Sequence, residues 1–407
     1  MHTSAHASFH TLGLSEPLLR DLTAAGLVVP TPIQAQAIPP ALEGRDVIGC
    51  AQTGTGKTAA FVIPMIERLA ALPKGQPQAL ILAPTRELAL QISGAIEKLG
   101  RSHSISATVI VGGSDMQAQI RGLRQRPDVL VATPGRLLDH MWNGTVNLAP
   151  MKILVLDEAD RMLDMGFAPQ INQILDALPI ERQTLLFSAT IQTDVTHLVQ
   201  TSLSGAVRVM ITPASTTAEG VTQTVHHTSS QEKTKLLVSL LATERGTVLI
   251  FARTKSRVDR LGQSLEQAGH RVAVIHGDRS LPQRLRALDG FKRGQVRILV
   301  ATDIAARGID VANIGHVVNY DMPNCPEDYI HRIGRTARMK MTGRATSFVT
   351  FEDRDQLCAI ETLLGNSLPL AEGSPSLHDR SYVRMTERPR GDRPQWGYQR
   401  RTKAGIN

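Results

Sequence analysis

From Asp46 onward, short continuous apolar runs alternate with longer amphipathic stretches: DVIGCA (46–51) leads into a helical pattern near 57–72, and ALILA (79–83) into another over 86–99. Strand and helix in this order predict βα units on a parallel sheet, because a parallel strand pair needs a crossover long enough to hold a helix. ATVIVG (107–112), VLVAT (129–133), KILVLD (152–157) and TLLFSA (184–189) continue the series, each followed by turn chemistry. The polar stretch ITPASTTAEG (211–220) interrupts it, and TVLIFA, RVAVIHG, VRILVAT, HVVNY and RATSFVTF begin a second series. The pattern predicts two doubly wound parallel-sheet α/β lobes, 1–208 and 221–366, with a short linker at 209–220. Beyond Leu364 periodicity fades, ending in RPRGDRPQWGYQRRTKAGIN, and a disordered basic tail is expected over 367–407.

Composition narrows the chemistry. The 407 residues are 42% hydrophobic and 20% charged, which suits ordinary globular cores and excludes a small stapled scaffold. Cys50, Cys325 and Cys358 are far apart and lack metal-ligand spacing, so neither a disulfide framework nor a zinc site is expected, and a reducing, cytoplasmic setting is. No apolar run reaches the ~18 residues of a membrane span, and no secretory signal is visible at the start. The formal charge of +8 favours a polyanionic partner, and eight basic residues against three acids in 379–407 carry much of it. Aromatic residues are only 3%, so a bound nucleic acid is expected to be held by its backbone rather than by stacked bases.

Ala51-Gln-Thr-Gly-Thr-Gly-Lys-Thr58 follows an apolar strand and opens a helix, the context in which a glycine-rich loop cradles phosphates. Thr53, Gly54, Thr55 and Gly56 form the loop, Lys57 reaches the β and γ oxygens, and Thr58 can place its hydroxyl on Mg²⁺; Ala51 stands where the strict pattern has glycine. Asp157 and Glu158 close the strand 152–157, where α/β sheets place ligands, giving Asp157 a metal-holding role and Glu158 the role of general base on water.

With Asp157-Glu-Ala-Asp160 in place, the chain resembles the DEAD-box family of ATP-dependent RNA helicases in helicase superfamily two, and bacterial members of the RhlE type in particular, over roughly Phe9 to Thr350. The resemblance implies two RecA-like lobes, with ATP and Mg²⁺ as cofactors. Pro32-Ile-Gln34 looks like the family's adenine-reading motif, with the Gln34 amide pairing adenine and Phe9 stacking near the base; Leu27 replaces the commoner Phe. Tyr329-Ile-His-Arg-Ile-Gly-Arg-Thr-Ala-Arg338 resembles the arginine-finger motif, and on a continuous helix His331, Arg335 and Arg338 would share one face. Ala337 stands where the family usually has Gly. Ser188-Ala-Thr190 resembles the motif coupling hydrolysis to strand separation, its hydroxyls bonding Asp160 or His331, and Asp310 would hold the ribose.

RNA contacts implied by the resemblance fall on Pro84, Thr85 and Arg86, on Gly113, on Thr133, Gly135 and Arg136, and on Thr254, Gly277, Asp278 and Thr302. Hydroxyls, glycine amides and arginines bind phosphate and 2′-OH, so RNA binding would be largely sequence-independent. The family follows His-Gly-Asp with Gln-x-x-Arg, but here the run is Leu281-Pro-Gln-Arg284. Gln283 and Arg286 repeat the spelling two positions on, a turn of about 200° to the wrong face. The inter-lobe contact made through that Gln is therefore left open.

The sequence predicts an RNA-stimulated ATP hydrolase that locally unwinds short RNA duplexes or remodels RNA–protein complexes. It would act as a monomer with ribonucleoprotein or RNA-decay partners and no membrane. An ATP-gated RNA clamp with incidental hydrolysis, and a DNA translocase of the same superfamily, are the alternatives; Gln34 and the run Asp157–Asp160 weigh against the latter.

Overall fold

The computed structural model describes residues 8–51, 54–190, 195, 198, 203, 205–211, 220–306, 314–337 and 342–374. Within them two parallel sheets form. The first contains β1 (Val47–Cys50), β2 (Ala79–Leu82), β3 (Ala107–Ile110), β4 (Val129–Ala132), β5 (Ile153–Asp157), β6 (Gln183–Ser188) and β7 (Val207–Met210), in the order β3-β4-β2-β5-β6-β1-β7. The second contains β8 (Val221–His227), β9 (Val248–Phe251), β10 (Val272–Ile275), β11 (Ile298–Ala301), β12 (His316–Asn319) and β13 (Gly343–Val349), in the order β10-β11-β9-β12-β13-β8. Strands inside each sheet are buried on both faces, so β2 and β4 read as unbroken apolar runs, β5 as an apolar run ended by Asp157 and β6 as one that follows Gln183 and Thr184.

Helices cover both faces of the first sheet, one layer packed around Ile33, Phe61 and Ile92, the other around Leu137, Met162 and Ile171. Cores around Leu237, Val258 and Leu265 and around Leu288 and Phe291 do the same for the second sheet. Each fully buried Leu, Ile or Phe of this kind contributes about 1.5–3 kcal/mol.

Two edge strands fall outside the runs read from the sequence. β7 pairs in parallel with β1, carrying the first sheet to Met210, past the boundary expected at 208. β8 pairs with β13 from Val221↔Gly343 to His227↔Val349. The start of the expected tail also needs correction: Leu368 is buried, Val225 N–H donates to Pro369 O, and Ala371 N–H donates to Val225 O. An outer edge strand presents unpaired amides and carbonyls, and residues 369–371 take up those of Val225. The expected tail beyond 374 lies outside the described residues.

Candidate active site and nucleic-acid interface

The strand order sorts the candidate residues along the carboxyl edge of each sheet. In the first sheet, β1, β5 and β6 lie together, and their carboxyl ends lead to the phosphate loop, to Asp157–Glu158 and to Ser188. The neighbouring half, β3-β4-β2, leads to Gly113, Thr133 and Thr85. In the second sheet, β10-β11-β9 lead to Gly277, Thr302 and Thr254.

The phosphate loop enters the helix Lys57–Ala70 through Gly56, at φ 90°, and Gly54 has φ 87°. Both angles lie in the left-handed region that favours glycine. Lys57, buried, donates from Nζ to Ala51 O at 2.7 Å. Thr58 follows as the next residue of the same helix, and Thr55 stands between the two glycines. Thr53 lies outside the described residues.

Gln34 is tied to the loop. As N3 of the helix Pro32–Leu42 it completes a capping box with Thr31, its Oε1 accepting from Thr31 N at 2.9 Å while Nε2 donates to Gly56 O at 3.1 Å. An amide oxygen has a second lone pair and the NH₂ a second hydrogen, which is the pair adenine would need. Phe9, placed near the base by the resemblance, is 2% exposed and packs in the first-lobe core.

Asp157 ends β5 and accepts from the amide of Glu158 at 3.0 Å. Burial, then the adjacent Glu158, pushes the Asp157 carboxyl up to about 7 against the pull of Lys57 and the Glu158 amide. Glu158 itself sits in the left-handed region at φ 51° and is held by Arg161, whose Nη1 lies 2.9 Å from Oε2. Arg161 was missed from the sequence, although its i+3 spacing from Glu158 across a helix start was a usable signal.

Asp160 gathers Ser188, Ala189 and Thr190, the run expected from the resemblance to couple hydrolysis to strand separation. Its Oδ2 accepts from Ala189 N at 3.0 Å, Thr190 N at 2.9 Å and Thr190 Oγ1 at 3.0 Å. The Asp160 amide donates to Ser188 Oγ at 3.3 Å, which in turn donates to Thr190 O at 2.7 Å.

From the second lobe, His331 and Arg335 reach the same place. With Lys57, Glu158, Asp160, Arg161, Asp164 and Ala189 they enclose a cavity of about 20 Å³. That is room for one water molecule, so a nucleotide enters by displacing side chains or parting the lobes. The shared-face expectation is corrected: the helix is Pro326–Ile333, Gly334 caps it, and Arg335 lies beyond in a turn. An isolated parallel bridge between Ile314 and Thr336 draws the chain away from helical geometry. Arg335 returns by donating from Nε to His331 O at 3.3 Å. Arg332, also missed from the sequence, anchors the helix by two contacts to Asp303 at 2.5 and 2.7 Å and by lying over the Phe251 ring. Arg338 and Asp310 lie outside the described residues.

On the other half of the edge, Thr85 N-caps the helix Arg86–Leu99 and follows buried Pro84. The Arg86 guanidinium lies against Gly113, where an added Cβ would stand 2.0 Å from Nη1, and Gly113 has φ 70°. Burial, then Arg284, lowers the Arg86 pKa. Arg136 donates to Ser114 O at 3.3 Å, Thr133 is the N-cap residue of its helix, and Gly135 faces open space. Thr254 N-caps the helix Lys255–Gln267, and Lys255 Nζ, 2.5 Å from Asp278, also lies beside Gly277. Thr302 is buried at the end of β11.

The inter-lobe question at Leu281 has an answer. Gln283 caps its own helix with Ser280, and Arg286 bonds Pro282 O on the exposed side. Leu281 is 8% exposed within the first-lobe core, and Arg284 meets Glu87 of the first lobe at 2.5 Å.

Comparison with known proteins gives consistent matches. Residues 31–198 match the DEAD/DEAH box helicase family and 232–340 the helicase conserved C-terminal domain. The DEAD-box ATP-dependent RNA helicase CshA of Geobacillus kaustophilus is 44% identical over 355 residues, 87% of this chain and 76% of that protein. The ATP-dependent RNA helicase RhlB of Pseudomonas syringae pv. tomato is 43% identical over 389 residues, 93% of this chain and 98% of that protein. Among solved structures, S. cerevisiae Dbp5 bound to RNA and ADP BeF3 superimposes with a TM-score of 0.80 at 33% identity, covering 93% of this chain and 98% of that one. Mss116p bound to ssRNA and AMP-PNP gives 0.84 at 28% identity, covering 92% and 81%.

Proposed function

The chain belongs to the DEAD/DEAH box helicase family, and from that premise we propose how its residues divide the work. It is an RNA-dependent ATPase that couples ATP hydrolysis to RNA unwinding. The observation that carries the division is the cavity lined from both lobes by Lys57, Glu158, His331 and Arg335.

Lys57 and the amides of Gly54 to Thr58 bind the β- and γ-phosphates, and Gln34 reads adenine with the valences its cap leaves over. Glu158, positioned by Arg161, orients the attacking water and takes its proton. Arg335, brought in by the second lobe, neutralises charge on the transferring phosphoryl group, and Arg338 and Asp310 take their family roles. Asp157 and Thr58 would hold Mg²⁺, which when bound would supply positive charge against the β- and γ-phosphate oxygens. The fit is supported by the raised Asp157 carboxyl, buried beside a second acid and short of positive charge. The Asp160–Thr190 hydrogen bonds carry the state of this site toward the RNA edge.

RNA lies across Pro84–Arg86, Gly113, Thr133–Arg136, Thr254, Gly277–Asp278 and Thr302, held by backbone and 2′-OH rather than by base identity. Ribonucleoprotein partners, a monomeric state and a cytoplasmic setting complete the reading; among the described residues no helix is long and apolar enough to cross a membrane. Steady-state ATPase with poly-RNA, poly-DNA or neither tests it. Stimulation by RNA alone is expected, equal stimulation by DNA points to a translocase, and none points to a clamp.

A further inference from the structure

We propose that Leu281 is a ligand-independent apolar latch between the lobes, and that it sets how often the protein closes before RNA arrives. The inference rests on lobe closure being the hydrolysing state, as above.

Leu281 opens the helix Leu281–Lys292, fixed there by the Ser280 cap and its capping box with Gln283. Its side chain is 8% exposed, and every other buried member of its apolar cluster comes from residues 9–209. Among the described residues, Leu281 is therefore the buried second-lobe residue that joins the apolar core of the first lobe. One turn on, Arg284 meets Glu87 at 2.5 Å, both side chains being nearly buried. That ion pair is incompletely satisfied, since Glu87 Oε1 and Arg284 Nε have no hydrogen-bond partner. A buried pair in that condition fixes register more than it adds net stability, so at this turn of the helix the favourable contribution comes from the leucine.

Burial of a leucine needs neither nucleotide nor RNA. It favours the closed arrangement by the same factor in every ligand state. The consequence is largest where closure is rare. Without RNA, turnover scales with the closed fraction; with RNA and ATP saturating, closure is already driven and the latch changes little.

The test uses the full chain with a donor and an acceptor dye, one on each lobe, and no ligand. Leu281→Ala should lower the ligand-free closed fraction and reduce RNA-free ATPase about tenfold, in line with partial loss of one leucine's burial. The RNA concentration for half-stimulation should rise by a similar factor, while kcat at saturating RNA stays within about twofold. Leu281→Met, which conserves volume, should restore all three, and Leu281→Gln should not. Amide exchange in β10 and β11 reports whether the second lobe still folds. An unchanged ligand-free distance and RNA-free rate in a folded Leu281→Ala protein overturns the latch, as does a drop in saturated kcat at unchanged distance. Because the distance is read without catalysis, failure of the latch is distinguishable from failure of the assigned catalytic roles.

Discussion

Glu158 and Ala337 both occupy the left-handed region, at φ 51° and 53°, a conformation that costs a non-glycine residue about 1–2 kcal/mol. Such strain persists where surrounding contacts over-determine it, and at Glu158 they do: its amide is bound by Asp157 and its carboxylate by Arg161. An amide at this position keeps an oxygen for Arg161 but cannot take a proton from water. Glu158→Gln is therefore expected to bind ATP and RNA normally while kcat falls about 10²–10⁴-fold; near-normal single-turnover hydrolysis would remove Glu158 from the base role. A second residue-scale prediction concerns Gly113. Alanine there meets the Arg86 guanidinium and must hold φ near 70°. Gly113→Ala should weaken RNA binding several-fold and leave ATP affinity unchanged, and equal losses for both ligands in titrations would show that the contact serves folding rather than RNA.

At the scale of elements, what could be read from the sequence followed burial. Interior strands such as VLVAT and KILVLD were legible because both faces are covered; Val207–Met210 and Val221–His227 are edge strands whose polar and apolar residues mix. Periodicity likewise extends the helix of Tyr329 through Arg338, since nothing local announces that Thr336 will bridge Ile314. Leu281 was visible as a departure from the family, but that its side chain enters the other lobe is a tertiary fact. A pH prediction belongs to β12 and β13. His316, on β12, bonds Glu244 at 2.8 Å and Thr346, on β13, at 2.8 Å, with Arg344 and His226 facing the same cluster. Burial lowers the His316 pKa from 6.5, with Glu244 offsetting only part. Above 6.5 the imidazole is neutral folded or unfolded and stability is intact; as pH falls below it, the unfolded ring protonates first and stability is lost. Burial works to raise Glu244, but the Gly246 amide, His316 and Arg344 together hold it below 4.5, so its contribution survives until lower pH. Amide exchange in β12 and β13, corrected for intrinsic rates, should quicken between pH 7 and 5 and do so less in His316→Gln; parallel profiles would mean that the imidazole is not the titrating group.

For the whole molecule, the residues proposed for nucleotide and those proposed for RNA occupy adjacent halves of one sheet edge, while Arg335 and Arg284 both arrive from the other lobe. Two ligands that each favour the same closed arrangement must strengthen one another, and equilibrium linkage makes the factor reciprocal. A non-hydrolysable ATP analogue should therefore tighten RNA binding by the same ratio by which RNA tightens the analogue. Arg335, 4% exposed, is the described second-lobe arginine lining the cavity proposed for the phosphates. Removing it should reduce both ratios together toward one, because ATP then has less reason to prefer the closed form, while binding of each ligand alone changes little. Turnover at saturating RNA should fall about 10³–10⁵-fold, the range for an arginine finger. The measurement is a four-corner binding cycle in wild-type protein and in Arg335→Ala. Should the substitution abolish turnover but leave both ratios at their wild-type value, Arg335 acts only on the transition state, and the energy that couples ATP to RNA enters through other residues of the seam.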